Sequence, residues 1–411
     1  MLTAPTTSFP RGKIKILLLE GIHESAVELL TEKGYRPDAL KTALDGEALQ
    51  ERIRGVHLLG IRSKTQITQS VLAESESLLG IGCFCIGTNQ VDLDAAAARA
   101  VPVFNAPFSN TRSVAELTIA EIVMLARRAC WRSQQMHSGI WEKSAGGSSE
   151  VRGKKLGIVG YGHIGPQVGL LAESLGMEVF FFDISKKLPL GNARAVGSLQ
   201  ELLPLVDFLS LHVPETPLTK DMIGRDEIAL MKRGSALLNL SRGSVVVLEE
   251  LAAALRSEHL SGAAIDVFPV EPASNGSGFE SALQGLPNVI LTPHVGGSTV
   301  EAQESIGREV AESLLKFLET GSSVGAVNFP HVDLPYVENS HRVLNIHRNE
   351  PGVLSQINTV IAATGANIAR QYLATQPDIG YLIMDVEKEL SSEVKTKLDQ
   401  IEANIRTRLL F

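Results

Sequence analysis

VRGKKLGIVGYGHIGPQVGLLAESLGMEVFFFD, residues 151 to 183, decides the fold. It reads as an apolar strand (Leu156, Ile158, Val159), a turn Gly160-Tyr161-Gly162-His163-Ile164-Gly165, an amphipathic helix, and a second strand from Val179 to Phe182 that closes on Asp183. That order is a βαβ unit with G-x-G-x-x-G spacing. The three glycines serve different ends. Gly160 makes the tight turn, Gly162 lets bare backbone approach a pyrophosphate, and Gly165 lets the helix sit close on the strand. Backbone N–H groups around His163, Ile164 and the helix start then face an anion. Pro166 is tolerated because the first helical turn has no intrahelical acceptor for its missing N–H. Asp183 stands where a carboxylate takes the adenosine ribose hydroxyls and repels a 2′-phosphate, so the unit predicts NAD rather than NADP.

The chain around this unit has 411 residues, 44% hydrophobic and 20% charged, enough for two or three domains, each with its own core. A net charge of −8 without long runs argues against nucleic acid or an anionic membrane as partner. Cys83, Cys85 and Cys130 lie among apolar neighbours without the His/Cys spacing of a metal site, and read as reduced thiols of a cytoplasmic protein. No apolar run is long enough to span a membrane.

Short strands and helices alternate from Ile14 to Asn105, which predicts a parallel sheet covered by helices but without a phosphate fingerprint. A long helix follows, with a capping box expected at Ser113 to Glu116. Beyond Asp183, strands at 206–211, 235–240, 261–267 and 288–292 bring the nucleotide sheet to six in doubly wound order. The helix Thr299 to Glu319 carries Ile306, Val310, Leu314 and Phe317 on one side and suits a return to the first sheet. Residues 341–411 fit the strand, helix, strand, strand, helix, strand order of a ferredoxin-like unit, with Tyr381 to Val386 half-buried and a sheet edge open to pairing. The expected organisation is a loose tail (1–11), a discontinuous substrate domain (12–109 and 298–328), a Rossmann-type nucleotide domain (110–297), a linker (329–340) and a C-terminal α+β domain (341–411).

In doubly wound sheets, ligands gather beyond the carboxyl ends of the strands. Arg242, Glu271 and His294 each follow one of three successive strands there. Removing hydride from a secondary alcohol needs a base for the hydroxyl proton, a cation for a neighbouring carboxylate and a nicotinamide held close. His294 suits the base, Glu271 would fix its tautomer and stabilise its charged form, and Arg242 can grip a carboxylate through two parallel bonds.

The segments GIVGYGHIG, LNLSRGSVV, GAAIDVFPVEP and LTPHVGGST together resemble the D-2-hydroxyacid dehydrogenases, and the likeness extends from about residue 12 to Phe411. It implies a flavodoxin-like substrate domain and a C-terminal ACT domain. Arg242, Glu271 and His294 become the catalytic trio. NAD contacts fall to Gly160, Gly162, His163, Ile164, Gly165, Asp183, Leu240, Ser241, Arg242, Asp266, His294, Val295, Gly296 and Gly297. The implied substrate is D-3-phosphoglycerate, oxidised to 3-phosphohydroxypyruvate. Its anions would be held by Arg62, Ser63, Lys64 and Asn110, with Lys143 reaching over from a neighbouring subunit beside Trp141. Lys64 replaces an arginine frequent in that branch, which keeps the charge and loses the fork. The ACT resemblance implies an allosteric L-serine site at His347, Asn349 and Asn367 and a homotetramer paired through ACT and nucleotide domains. The segment Val337-Glu338-Asn339-Ser340-His341 lacks the glycine pair of well-known relatives, while Gly296-Gly297, the other expected hinge, is present. The residues alone leave open other 2-hydroxyacids, reduction of 2-oxoglutarate, and a non-catalytic NAD-sensing corepressor.

Overall fold

The computed structural model describes residues 9–272, 276–335 and 339–411. Chain packing divides it into two compact units: residues up to Ser109 together with Gln303–Phe411, and Asn110–Ala302.

The first unit contains a five-stranded parallel sheet in the order Arg36–Ala39, Lys15–Leu18, Leu58–Ile61, Gly80–Cys83, Val103–Asn105. This is the 2-1-3-4-5 winding of flavodoxin-like sheets. Sequence reasoning does not find the strand Arg36–Ala39 or the helix Gly46–Ile53, because an exposed edge strand and a short helix give little periodicity. The helix Val300–Thr320 returns to this sheet: Val310 and Leu314 fill the space above Gly82, where an added Cβ would overlap Val310. Ile306, Val310, Leu314 and Phe317 share one core with Leu18, Leu58 and Phe104. The sheet is therefore covered by chain that both precedes and follows the second unit in sequence.

The C-terminal residues form a four-stranded antiparallel sheet ordered Ile368–Thr375, Ile379–Glu387, Ser340–Arg348, Asn404–Leu410, with helices Val353–Thr364 and Ser391–Leu398. Val343, Leu382, Met384 and Val386 pack under the helices, while Leu344, Ile346, Tyr381 and Ile383 belong to the core of the five-stranded domain. The strand expected to be half-buried is therefore buried on both faces. Tyr381 sits 5.8 Å from Phe329 and 6.4 Å from Phe317, ring to ring, and its hydroxyl donates to Gly321 O at 2.5 Å. Arg342 and Asp385, 2% and 1% exposed, form a buried ion pair; Arg342 also donates to the carbonyls of Thr320, Leu334 and Pro335. The Arg408 guanidinium lies 5.2 Å over the Phe317 ring, and burial brings its pKa down to about 10.

Contacts reach into the segments expected as tail and linker. Residues 1–8 of the tail lie outside the described residues, but Arg11, assigned to that tail, pairs with Glu319 at 3.1 Å and donates to Lys33 O. The first half of the linker 329–340 is docked: Phe329 and Val332 are buried and Ser323 Oγ donates to Pro330 O. Tyr336, Val337 and Glu338 lie outside the described residues.

The second unit holds seven parallel strands in the order Val289–Leu291, Gly262–Ile265, Ala236–Asn239, Phe208–Leu211, Lys155–Val159, Glu178–Phe182, Arg194–Ala195. The seventh, one more than expected, is a two-residue edge strand, too short to show a period. The helix Thr111–Arg127 packs on one face through Val114, Ala115, Ile122 and Leu125. Its cap is Asn110, and the expected capping box is not formed: Ser113 lies inside the first turn and bonds Thr299, while Glu116 pairs with Arg112. Arg128, in the left-handed region at φ 51°, breaks it from the helix Ala129–His137. Among the described residues no helix is long and apolar enough to cross a membrane.

Candidate active site

The topological switch of the seven-stranded sheet lies between Lys155–Val159 and Phe208–Leu211, and the glycine turn leaves the first of these strands. Gly160 has φ +91°, and a Cβ there would overlap His212 O. Gly165 lies so close to Gly160 O and Ile158 that a Cβ would collide, so helix Gly165–Ser174 sits hard on its strand. Gly162 has nothing within 4 Å of its missing Cβ. Two glycines are thus demanded by the fold itself, and the third faces open space where a ligand's phosphates can come close. Pro166 occupies the first helical turn, and no side chain caps the N–H groups behind Ile164.

Asp183 turns back on this loop. It accepts from Tyr161 N at 2.8 Å and from Ser185 N and Oγ at 2.9 Å. Burial pushes its carboxyl up, but these bonds and the Lys187 charge outweigh it and hold the group below its ordinary range. It stays an anion that can accept further hydroxyls. Tyr161 stacks on Phe181 at 3.8 Å and fixes the turn from beneath. His212, next to the turn, is half-buried against Ser210 Oγ at 2.9 Å; loss of solvent around the ring lowers it to about 4, so it is neutral. The turn, the uncapped helix start and the anionic Asp183 fit a dinucleotide.

Arg242, Glu271 and His294 come from the carboxyl ends of three adjacent strands, Ala236–Asn239, Gly262–Ile265 and Val289–Leu291. His294 has a left-handed backbone, φ 55°, costly for a histidine and typical of functional loops. Its Nδ1 lies 2.8 Å and 3.1 Å from the two Glu271 oxygens, and Glu271 Oε1 accepts from Phe268 N. An acceptor at Nδ1 places the proton there and leaves Nε2 with its lone pair, a tautomer assigned from the bonding pattern. The imidazole is about half exposed and open to a substrate. Arg242 gives one Nη1 proton to Ser241 O at 2.7 Å; Nε and Nη2 have no partner among the described residues.

Other residues expected at the cofactor also hold the surrounding chain. Ser241 Oγ donates to Asn239 Oδ1, so its hydroxyl shapes the loop, and Leu240 is buried. Asp266, 1% exposed, accepts from Thr292 Oγ1, Val295 N and Gly296 N, and its carbonyl accepts from His294 N. It is the anchor of the histidine loop. A Cβ on Gly296 would crowd Asp266 and one on Gly297 would overlap Asn110, so this pair is glycine for space. Asn110 therefore lies in the second unit, whereas Arg62, Ser63 and Lys64 follow the strand Leu58–Ile61 of the first. Lys143 lines an open cleft of about 770 Å³ with Trp141, whose ring is 77% exposed and so no core residue. In the C-terminal domain Asn349 and Asn367 are exposed, but His347 is 3% exposed and bonds Asn345 within a network that includes Asn404 and Thr407.

Sequence reasoning missed Glu121. It is 1% exposed, neither carboxyl oxygen has a partner among the described residues, and burial, then the charge of Asp266, pushes it up to about 8. Its place on the stripe Val114, Thr118, Glu121, Leu125 is the signal that could have found it.

Comparison with known proteins agrees with this geometry. Residues 119–296 match the family profile of the D-isomer specific 2-hydroxyacid dehydrogenase NAD binding domain, and residues 344–406 match an AHAS small subunit-like ACT domain. D-3-phosphoglycerate dehydrogenase of Haemophilus influenzae is 54% identical over 405 residues, covering 98% of this chain and 99% of that protein. The chain belongs to the D-3-phosphoglycerate dehydrogenase family. The Saccharomyces cerevisiae member, D-3-phosphoglycerate dehydrogenase 1, is 48% identical across 98% of this chain and 89% of its own length. Among solved structures, D-lactate dehydrogenase from Aquifex aeolicus complexed with NAD and lactic acid superposes with a TM-score of 0.65 at 27% identity, over 76% of this chain and 99% of that one. This family member is an NAD-dependent oxidoreductase with a doubly wound nucleotide domain and an ACT regulatory domain.

Proposed function

We propose that this dehydrogenase oxidises D-3-phosphoglycerate to 3-phosphohydroxypyruvate, the first step of serine formation from phosphorylated intermediates. The observation that carries the mechanism is the His294–Glu271 pair at 2.8 Å, at the carboxyl ends of the strands of the same sheet that carries the glycine turn. Nε2 of His294 takes the C2 hydroxyl proton, and the Glu271 carboxylate steadies the imidazolium that results. Arg242 orients the substrate carboxylate with its unpartnered Nε and Nη2. The turn from Gly160 to Gly165 and Asp183 would hold NAD, which when bound would supply the hydride acceptor. Asp266 keeps the histidine loop in place through its four bonds.

Arg62, Ser63 and Lys64 take the distal phosphate, with Asn110 beside the carboxylate and Lys143 contributed by a neighbouring copy. The exposure of Trp141 and Lys143 supports that last assignment. L-serine regulates at His347, Asn349 and Asn367 between paired ACT domains, in a cytoplasmic homotetramer. The exposed edge strand Ile368–Thr375 supports the pairing. NADH formation from D-3-phosphoglycerate, with and without L-serine, tests the reading. Turnover of an unphosphorylated 2-hydroxyacid in preference to the phosphate ester would overturn the substrate assignment; absence of any serine effect would overturn the regulatory one.

A further inference from the structure

The loop Arg62-Ser63-Lys64-Thr65 is built around a carboxylate. Glu20 leaves the strand Lys15–Leu18, adjacent and parallel to the strand that delivers the loop. Its Oε1 accepts from Arg62 N at 3.1 Å and from Thr65 N at 2.9 Å, and its Oε2 accepts from Lys64 N at 3.0 Å. Glu20 holds this position in a left-handed backbone, φ 66°, which an ordinary side chain adopts at a cost. From the other side Gln90, 3% exposed, donates from Nε2 to Arg62 O at 2.6 Å. Three donors and one acceptor of the loop backbone are thus occupied, the donors by a carboxylate and the acceptor by an amide.

A bare loop of consecutive N–H groups would itself form an anion-binding nest. Here three of those N–H groups are already taken by a carboxylate, so an incoming anion meets chiefly the side chains of Arg62, Ser63 and Lys64, with the Ser63 N–H the one donor of the 62–65 backbone that Glu20 leaves over. We propose that Glu20 is a positioning residue for the distal anion of the substrate: by claiming the loop's N–H groups it fixes the loop in one shape and hands anion recognition to the side chains of Arg62 and Lys64. This rests on the reading of Arg62 to Lys64 as the phosphate-binding loop. Only an acceptor with two anionic oxygens serves all three donors. The Gln amide at the same place offers one oxygen and sets an NH₂ against an N–H, so Glu20→Gln loses at least one bond and adds a donor–donor contact.

The experiment compares Glu20→Gln and Arg62→Ala with the parent full-length enzyme, using D-3-phosphoglycerate and D-glycerate as substrates and inorganic phosphate as inhibitor. For Glu20→Gln the expected result is a rise in KM for the phosphate ester of about 10- to 100-fold, the scale of one charge-assisted hydrogen bond, with kcat changed only a few-fold. Inhibition by phosphate should weaken in parallel, and kcat/KM for D-glycerate and NADH affinity should stay near parental values. Equal losses on both substrates would make Glu20 a merely structural brace and overturn the proposal. If Arg62→Ala discriminates the two substrates and Glu20→Gln does not, the positioning role alone fails. If Arg62→Ala does not discriminate them, the phosphate-loop reading itself fails. Should the Gln variant be insoluble, Glu20→Asp, which keeps the carboxylate but draws it back by one methylene, is expected to show the same substrate split at smaller size, and its absence would be equally fatal.

Discussion

Glu121→Gln replaces a buried, unpartnered carboxyl with a neutral side chain of the same shape, and is expected to stabilise the protein at and above neutral pH. The carboxyl is 1% exposed and lies near the anchor Asp266, and its pKa rises from 4.5 to about 8. In the unfolded chain the group ionises first, so the stability associated with the neutral acid is complete below pH 4.5 and is lost as pH rises through about 8. Each pH unit in that window costs about 1.4 kcal/mol, and the whole interval roughly 5 kcal/mol, an upper figure that water entry around the ionised group reduces. The Gln variant carries no such loss. Urea unfolding of both proteins, repeated at pH values from about 5 to about 9, should show the variant's advantage climbing by about 1.4 kcal/mol per unit and levelling off above pH 8. An advantage that is flat with pH, or a variant weaker than the parent throughout, would refute the assignment of Glu121 as a buried neutral acid.

Other perturbations act at named contacts. His294→Ala should lower kcat by about 10²–10⁴-fold with NADH binding retained, as judged by nucleotide fluorescence; unchanged turnover would remove His294 as the base. Gly160→Ala puts a methyl onto His212 O in a left-handed backbone and should cost about 2–4 kcal/mol together with most NADH affinity, read by thermal unfolding and fluorescence titration. Asp385→Leu strands Arg342 in the interior and should cost about 3–5 kcal/mol, whereas Arg342→Met combined with Asp385→Leu should recover most of it. Equal destabilisation by the single and double changes would show that the pair stabilises through more than its mutual charge.

The nucleotide unit is legible because its rules are local. A glycine turn, an apolar strand and a closing acid fall within 33 residues of contiguous sequence, and each obeys steric requirements that hold in any chain. Strand ends are legible in the same way, which is how Arg242, Glu271 and His294 can be grouped without coordinates. Burial of the second face of the C-terminal sheet is not. The alternation of Tyr381 to Val386 fits a strand with one wet side, and only contact with Phe317 and Phe329, distant in sequence, makes it dry. Asp266 is singled out only by the family resemblance, since a strand-end acid by itself reads as an ordinary loop acid; its bonds to Thr292, Val295 and Gly296, which tie down the histidine loop, are visible only in the folded chain. Glu20 follows the same strand-end rule as Arg242, Glu271 and His294, yet sequence reasoning overlooks it because a carboxylate under a loop read as anion-binding runs against charge complementarity.

The apolar floor that Leu344, Ile346, Tyr381 and Ile383 share with Phe104, Phe317 and Phe329 has a bearing on how this enzyme can be dismantled. Cutting the chain after Pro335 would not release an unregulated catalyst from a detachable module. It would strip the cover from the five-stranded domain and leave Phe317 and Phe329 without the surface they were folded against, so the trimmed protein should clump. Regulation and solubility are welded into one object, and a lineage that dispensed with the first would have to repaint that surface to keep the second.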